Sequence, residues 1–184
     1  MDLSQLVNDV KNSLTPHRLR HVEGVVATAV ELAKQVHIPE EQAEVAAWLH
    51  DIAREWPWEK LTEASQTIEV PAGFASIPML LHGPIAAHLG KVQYGITDEQ
   101  ILDAVRYHTT GRPNMTTLDM VLFVADAIEP GRNYTGVDEI RAAAAHSLQS
   151  AVRLSIDNTI RFLVDAGKPL FPLTVLTRNE LLKR

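Results

Sequence analysis

The chain has 184 residues, 46% apolar and 22% charged, with 17 Lys and Arg against 23 Asp and Glu for a net charge of −6. That balance is ordinary for a globular protein and argues against general nucleic-acid binding, which requires many phosphates to be neutralised. The absence of Cys excludes disulfide scaffolds, thiolate zinc sites, iron–sulfur clusters and thiol catalysis.

Helical signals run from end to end. Leu3, Leu6, Val7 and Val10 mark a short amphipathic helix, capped near Asp2 or Ser4. Thr15-Pro16 is an N-cap followed by Pro at the first helical position, which starts a helix running to about Val36 with a stripe of Leu19, Val22, Val26, Ala29, Val30 and Ala33. Pro39 opens a third helix, with Val45, Trp48, Leu49 and Ile52 inward, and a short one follows Pro57. Residues 68–78, with Pro71, Gly73 and Pro78, read as a loop able to cover a cleft. Another helix starts at Pro84. Thr97-Asp98-Glu99-Gln100 is a capping-box sequence for a helix carrying Ile101, Ala104, Val105 and His108. The next helix bears Leu118, Val121, Leu122 and Ala125 and stops at Pro130-Gly131. A long helix is expected from Asp138 to Ala166, ending at Gly167, with a last short one after Pro172. No strand alternation, repeat or linker interrupts this pattern. The expectation is one all-α helical bundle over residues 1–184. No apolar run approaches the ~20 residues of a membrane span, and the acidic N-terminus is unlike a signal peptide, so a cytoplasmic location is expected.

Six ionisable residues stand at core edges of these helices: His21, His50, Asp51, His82, His108 and Asp126. At ~100° per residue, adjacent His50 and Asp51 diverge enough to grip one centre from two sides. His108 shares the face of Ala104 and Ile101. Asp126 interrupts the apolar run VLFVADAI, where a carboxylate is costly unless paired or bound to a cation. Taken singly, each suits an ordinary hydrogen-bonded residue at a core edge. As a set without Cys, they suit a mixed imidazole and carboxylate metal site, with imidazole favouring Fe, Zn, Ni or Cu and carboxylate admitting Mg and Mn. Four ligands on an octahedral ion leave positions for water and substrate, as a hydrolase requires.

In this order, H…HD…H…H…D, the residues resemble the HD-domain metal-dependent phosphohydrolases, a helical-bundle superfamily. By that resemblance His21, His50, Asp51 and Asp126 are the metal ligands, while His82 and His108 match the branch with additional histidines. A finer likeness, to the bacterial YqeK-type HD proteins, lies in TPHRLRH (15–21), LHDIAR (49–54), LHGP (81–84), RYHTTGRP (106–113), ADAIEPGR (125–132) and PLFPLT (169–174). The departures are Arg54, where Lys is also common, and Gly83, where another small residue can stand. The resemblance implies symmetric hydrolysis of a dinucleoside tetraphosphate, chiefly diadenosine tetraphosphate to two ADP. Iron is the implied metal, one ion or two, with Mn, Co and Mg left open.

Asp51, His82 and His108 are then the candidate catalytic residues. His82 and His108 either contact phosphate, the role preferred here, or hold a second metal with Asp51 bridging. Arg18, Arg54 and Arg132, each close in sequence to a proposed ligand, are the candidate phosphate-binding cations, with Thr109 and Thr110 supplying hydroxyls. Arg20, Arg141, Arg153 and Arg161 read as solvated, and His37, His88 and His146 as surface or packing residues. Trp56 and Trp58 read as anchors of the short helix, and Phe171 is unplaced. Rival readings are a nucleotidase or phosphodiesterase acting on other nucleotides, a di-iron oxygenase, and a non-catalytic nucleotide-binding sensor. A homodimer through an apolar helix face is compatible with a helical domain of this size, and the choice between adenine and guanine is open.

Overall fold

A computed structural model describes residues 3–183. The cap expected at Asp2 lies outside the described residues. Among them there are ten α-helices and no strand, as the all-α pattern predicts: α1 (Leu3–Ser13), α2 (Pro16–Gln35), α3 (Glu40–Leu49), α4 (Trp58–Ser65), α5 (His82–Gln93), α6 (Glu99–Tyr107), α7 (Thr117–Ile128), α8 (Val137–Ala144), α9 (Leu148–Asp165) and α10 (Pro172–Leu181). None of these helices is long and apolar enough to cross a membrane.

The middle of the bundle is α7. Its sequence, TLDMVLFVADAI, is apolar around most of its circumference, which suits a helix covered on several sides. Helices α2, α3, α6, α8 and α9 all lie against it. Its start is fixed by a reciprocal capping box between Thr116 and Asp119. α2 begins where expected, with Thr15 Oγ1 accepting from the Arg18 N–H at 3.3 Å and Pro16 at the first position. Thr15 also donates to Glu55, so the start of α2 is tied to the segment after α3. The buried stripe of α2 is turned from the expected one: Val25 and Leu32 are buried with Val22, Ala29 and Ala33, while Leu19, Val26 and Val30 are half-exposed. That turn brings His21 fully onto the inner face.

Other boundaries differ for identifiable reasons. α3 ends at Leu49, so Ile52 is buried from a turn beyond the helix. α5 starts at His82 after a 3-10 turn over Pro78–Leu81, and Pro84 falls within its first turn, where no intrahelical N–H is needed. The N-cap of α6 is Asp98, which accepts from the Gln100 N–H. The long helix expected from Asp138 to Ala166 is two helices. Ser147 leaves the helical conformation and its hydroxyl accepts from the Ser150 N–H, starting α9 anew. Gly83 permits close contact between α5 and α6: a Cβ there would stand 2.8 Å from the Arg106 carbonyl and 3.1 Å from that of Val105. A larger residue at this position would therefore require the two backbones to move apart.

Candidate functional site

Five helices bring their ends to one place. His21 lies on the second turn of α2, His50 and Asp51 follow α3, His82 opens α5, His108 follows α6, and Asp126 sits in the last turn of α7. His21, His50, Asp51, His82 and His108 are all buried.

Three of the histidines share one local device. The Nδ1–H of His50 donates to the Ala47 carbonyl at 2.6 Å, that of His82 to the Met79 carbonyl at 2.6 Å, and that of His108 to the Val105 carbonyl at 2.7 Å. A carbonyl only accepts, so each Nδ1 carries a proton and each Nε2 is left to face the centre. His21 achieves the same orientation through a side chain, donating from Nδ1 to Glu129 Oε1 at 3.1 Å.

Asp51 lies among these four rings. Its Oδ2 is 3.8 Å from His21 Nε2 and 3.6 Å from His50 Nε2, and its Oδ1 is 3.3 Å from His82 Nε2 and 3.8 Å from His108 Nε2. Two groups therefore have donor atoms close enough for one ion, His21 with His50 and Asp51, and His82 with His108 and Asp51. The donors fit a metal on independent grounds. His50 Nε2 is buried with no hydrogen-bond partner, and His21 Nε2, also buried, faces the Asp51 and Asp126 carboxylates. His82 Nε2 and His108 Nε2 meet at 3.0 Å, lone pair against lone pair unless a proton or cation stands between them. Oxygen and imidazole donors without thiolate suit a borderline or hard divalent ion.

Asp126 stands at the edge of this set. Its Oδ1 is 3.1 Å from His21 Nε2 and also accepts from Arg132 Nη2 at 2.6 Å. Burial raises the Asp51 pKa, but the three imidazoles of His50, His82 and His108 outweigh it and hold the carboxyl well below its usual range. Burial likewise opposes ionisation of Asp126, and His21, His50 and Arg132 more than reverse that. For His21 burial favours the neutral ring, yet the Asp126 and Glu129 carboxylates carry its pKa above the ordinary value. Burial, reinforced by His82 and His50, pushes His108 down to about 3, so its ring is neutral near pH 7.

The buried centre opens into a cleft of about 280 Å³. Arg18, Arg54, Arg132, Thr109 and Thr110 all line it, as the sequence led us to expect. Arg18 is held by Asp51 at 3.1 Å and Arg132 by Asp126, whereas the Arg54 guanidinium has no hydrogen-bond or ion-pair partner among the described residues. Ile77, Met79 and Leu80, from the end of the expected covering loop and the turn after it, form part of the wall. Phe171 finds its place here too, on the cleft wall and edge-on to Phe74 at 5.2 Å. Trp58 is 60% exposed and does not anchor its helix, and neither it nor Trp56 reaches the cleft.

Glu129 escaped the sequence reading. It is buried, orients His21, accepts from the Gly131 N–H, and packs so closely on α2 that a Cβ at Gly24 would lie 2.6 Å from its Oε2. The available signal was its place three residues after Asp126, immediately before the Pro130-Gly131 stop. Arg141 is not a solvated charge: it donates to the carbonyls of Ile128, Glu129 and Arg132 and so fixes the loop that carries Glu129.

Comparison with known proteins gives a consistent result. Residues 18–131 match the HD domain family model. The chain is 43% identical to the symmetrical bis(5'-nucleosyl)-tetraphosphatase of Bacillus subtilis over 98% of both chains. It is 39% identical to the protein of that name from Halalkalibacterium halodurans, over 99% of this chain and 98% of the relative. A crystal structure of a predicted HD superfamily hydrolase involved in NAD metabolism, from Clostridium acetobutylicum, superposes with a TM-score of 0.95 at 39% identity, covering 100% of this chain and 98% of the other.

Proposed function

The chain belongs to the HD domain family, and from that premise we propose that it hydrolyses dinucleoside tetraphosphates symmetrically, with diadenosine tetraphosphate giving two ADP. The observation that carries this reading is Asp51 shared between two pairs of inward-facing Nε2 atoms, beside three arginines. His21, His50, Asp51, His82 and His108 would hold divalent metal, with Asp126 at its margin, and iron is the ion we favour for this imidazole-rich set. Bound there, the metal would supply Lewis-acid polarisation of a phosphoryl oxygen and an acidified water.

The chain's own residues then do the following. Arg54, unpaired in the cleft, takes the polyphosphate first. Arg18 and Arg132 turn from Asp51 and Asp126 toward phosphate oxygens once those carboxylates have a cation to neutralise. His82 and His108 serve the metal rather than the phosphate, because their Nε2 lone pairs face each other and the Nδ1 proton of each is held by a backbone carbonyl. Thr109 Oγ1, buried without a partner, is a donor available to a phosphate oxygen. Water oxygen bonds to one of the two central phosphorus atoms and releases its proton to the solvent of the cleft, the bridging P–O bond breaks with its electron pair on the second ADP, and that ADP departs with its charge balanced by the arginines. Most of the rate then comes from positioning and charge neutralisation.

The test is chromatography of products after incubating diadenosine tetraphosphate with protein loaded in turn with Fe, Mn, Co and Mg. ADP as the sole product supports the reading. AMP with ATP overturns the symmetric cut, and no turnover with any of the four metals overturns the enzymatic assignment.

A further inference from the structure

A symmetric cut requires two like halves to be held on either side of the scissile bond. The central cleft, about 280 Å³, is at the small end of ligand pockets and accommodates one half, with Phe171 on its wall. The other half must leave the centre by another route. Arg132 and Thr159 line both the central cleft and a neighbouring one bounded by Tyr134 and the outer half of α9. The first half of α9 is anchored by buried Ala151, Val152, Ser155 and Ile156, but from Asn158 onward no residue of the helix is buried. Asn158, Phe162 and Asp165 follow at i, i+4 and i+7, and thus share one face of it. On that face Phe162 is 59% exposed. Opposite, Tyr134 is fixed by its hydroxyl, which donates to the Ala127 carbonyl at 2.7 Å.

We propose that this face of α9 binds the second nucleoside, its base stacked on Phe162 and its diphosphate passing Arg132 to the centre. The proposal rests on the symmetric-cleavage reading above. An amide and a carboxylate flanking an exposed ring supply the acceptors and donors that the edge of a purine requires. Lys168 lies 5.2 Å from the Phe162 ring and, being exposed, is free to yield one face of it. The cleft on the other side of Arg132, toward His17 and Arg20, shares half-buried Tyr134 and adds the His17 imidazole, but it has no exposed Phe, Tyr or Trp.

The experiment compares KM for diadenosine tetraphosphate with KM for adenosine 5′-tetraphosphate, which has the same four phosphates and a single nucleoside. Base–aromatic stacking is worth ~1–3 kcal/mol, or about 5–150-fold in affinity. We expect F162A to raise the ratio of the two KM values at least about fivefold and F162W to restore it, with unchanged Tm. An F162A protein whose two KM values move together, or not at all, overturns the proposal. Wild-type protein that makes no ADP from the dinucleotide would instead remove the reading beneath it, and the proposal with it.

Discussion

Gly24 is a small residue with a large expected effect. Replacing it with Ala places a Cβ 2.6 Å from Glu129 Oε2, where ordinary contact begins near 3.4 Å, so the carboxylate must withdraw by about 0.8 Å. It has little freedom to do so, since Oε2 accepts from the Gly131 N–H and Oε1 from His21 Nδ1 at 3.1 Å. Turning or retreating takes Oε1 off the ring. Losing a charged buried hydrogen bond costs about 1.5–3 kcal/mol, and Ala for Gly within a helix returns about 0.5–1 kcal/mol. The metal-free G24A protein should therefore melt a few degrees lower, at about 2–4 °C per kcal/mol for a chain of this size. The larger consequence concerns His21, which loses the group that orients it. Disturbing such a partner typically costs 10–100-fold in metal affinity. Calorimetric titration with Mn²⁺ gives the measure, with E129Q expected to lose less than E129A because an amide oxygen still accepts from Nδ1. A G24A protein that binds Mn²⁺ as tightly as wild type would refute the assignment of Glu129 to His21.

Removing the shared carboxylate by D51N should abolish stoichiometric metal binding, read by elemental analysis, and lower turnover by at least about 10³-fold, since electrostatic stabilisation and metal supply depend on it. Metal binding should release protons, because the His21 pKa is raised and the ion must displace its proton; apparent affinity should accordingly climb with pH above 6.5 and level off once His21 is deprotonated, as titrations in buffers of different ionisation enthalpy will reveal. Gly83→Ala, which drives a Cβ into the Arg106 carbonyl, should part α5 from α6 and cut metal stoichiometry while leaving helical circular dichroism intact. Ser147→Ala should cost about 1 kcal/mol of stability in denaturant titration and leave turnover unchanged, since its hydroxyl caps α9 and is no part of the cleft wall.

What could be read from sequence was whatever local chemistry announces. Thr15-Pro16 has one strong meaning, and the structure obeys it. His82 and His108 could be placed at helix ends because Pro, Gly and polar residues adjoin them, whereas His50-Asp51 reads as part of a helix running on through Ile52, and nothing local marks the stop at Leu49. The break at Ser147 could not be found this way: it follows AAAA at 142–145, among the best helix formers, with no Pro or Gly to mark it, and only the packing of α8 and α9 on α7 requires it. Glu129 was hidden for a similar reason, because its partners His21 and Gly24 lie more than a hundred residues away in α2. Whether His82 and His108 face phosphate or each other was also beyond sequence; it depends on the contact that Gly83 permits between α5 and α6.

The tie of three imidazoles to backbone carbonyls three residues earlier has a mechanical consequence. Each ring is fastened to the terminal turn of its own segment, so unwinding of α3 or α6 by a single turn swings a ligand out of place. Ion release and fraying at these ends are then one event rather than two. An ion seated among Asp51, His82 and His108 would act as a clasp across three chain segments, those that follow α3 and α6 and the one that opens α5. Amide hydrogen exchange at Ala47–Asp51 and Val105–Thr109 should slow together, and by the same factor, when metal is added.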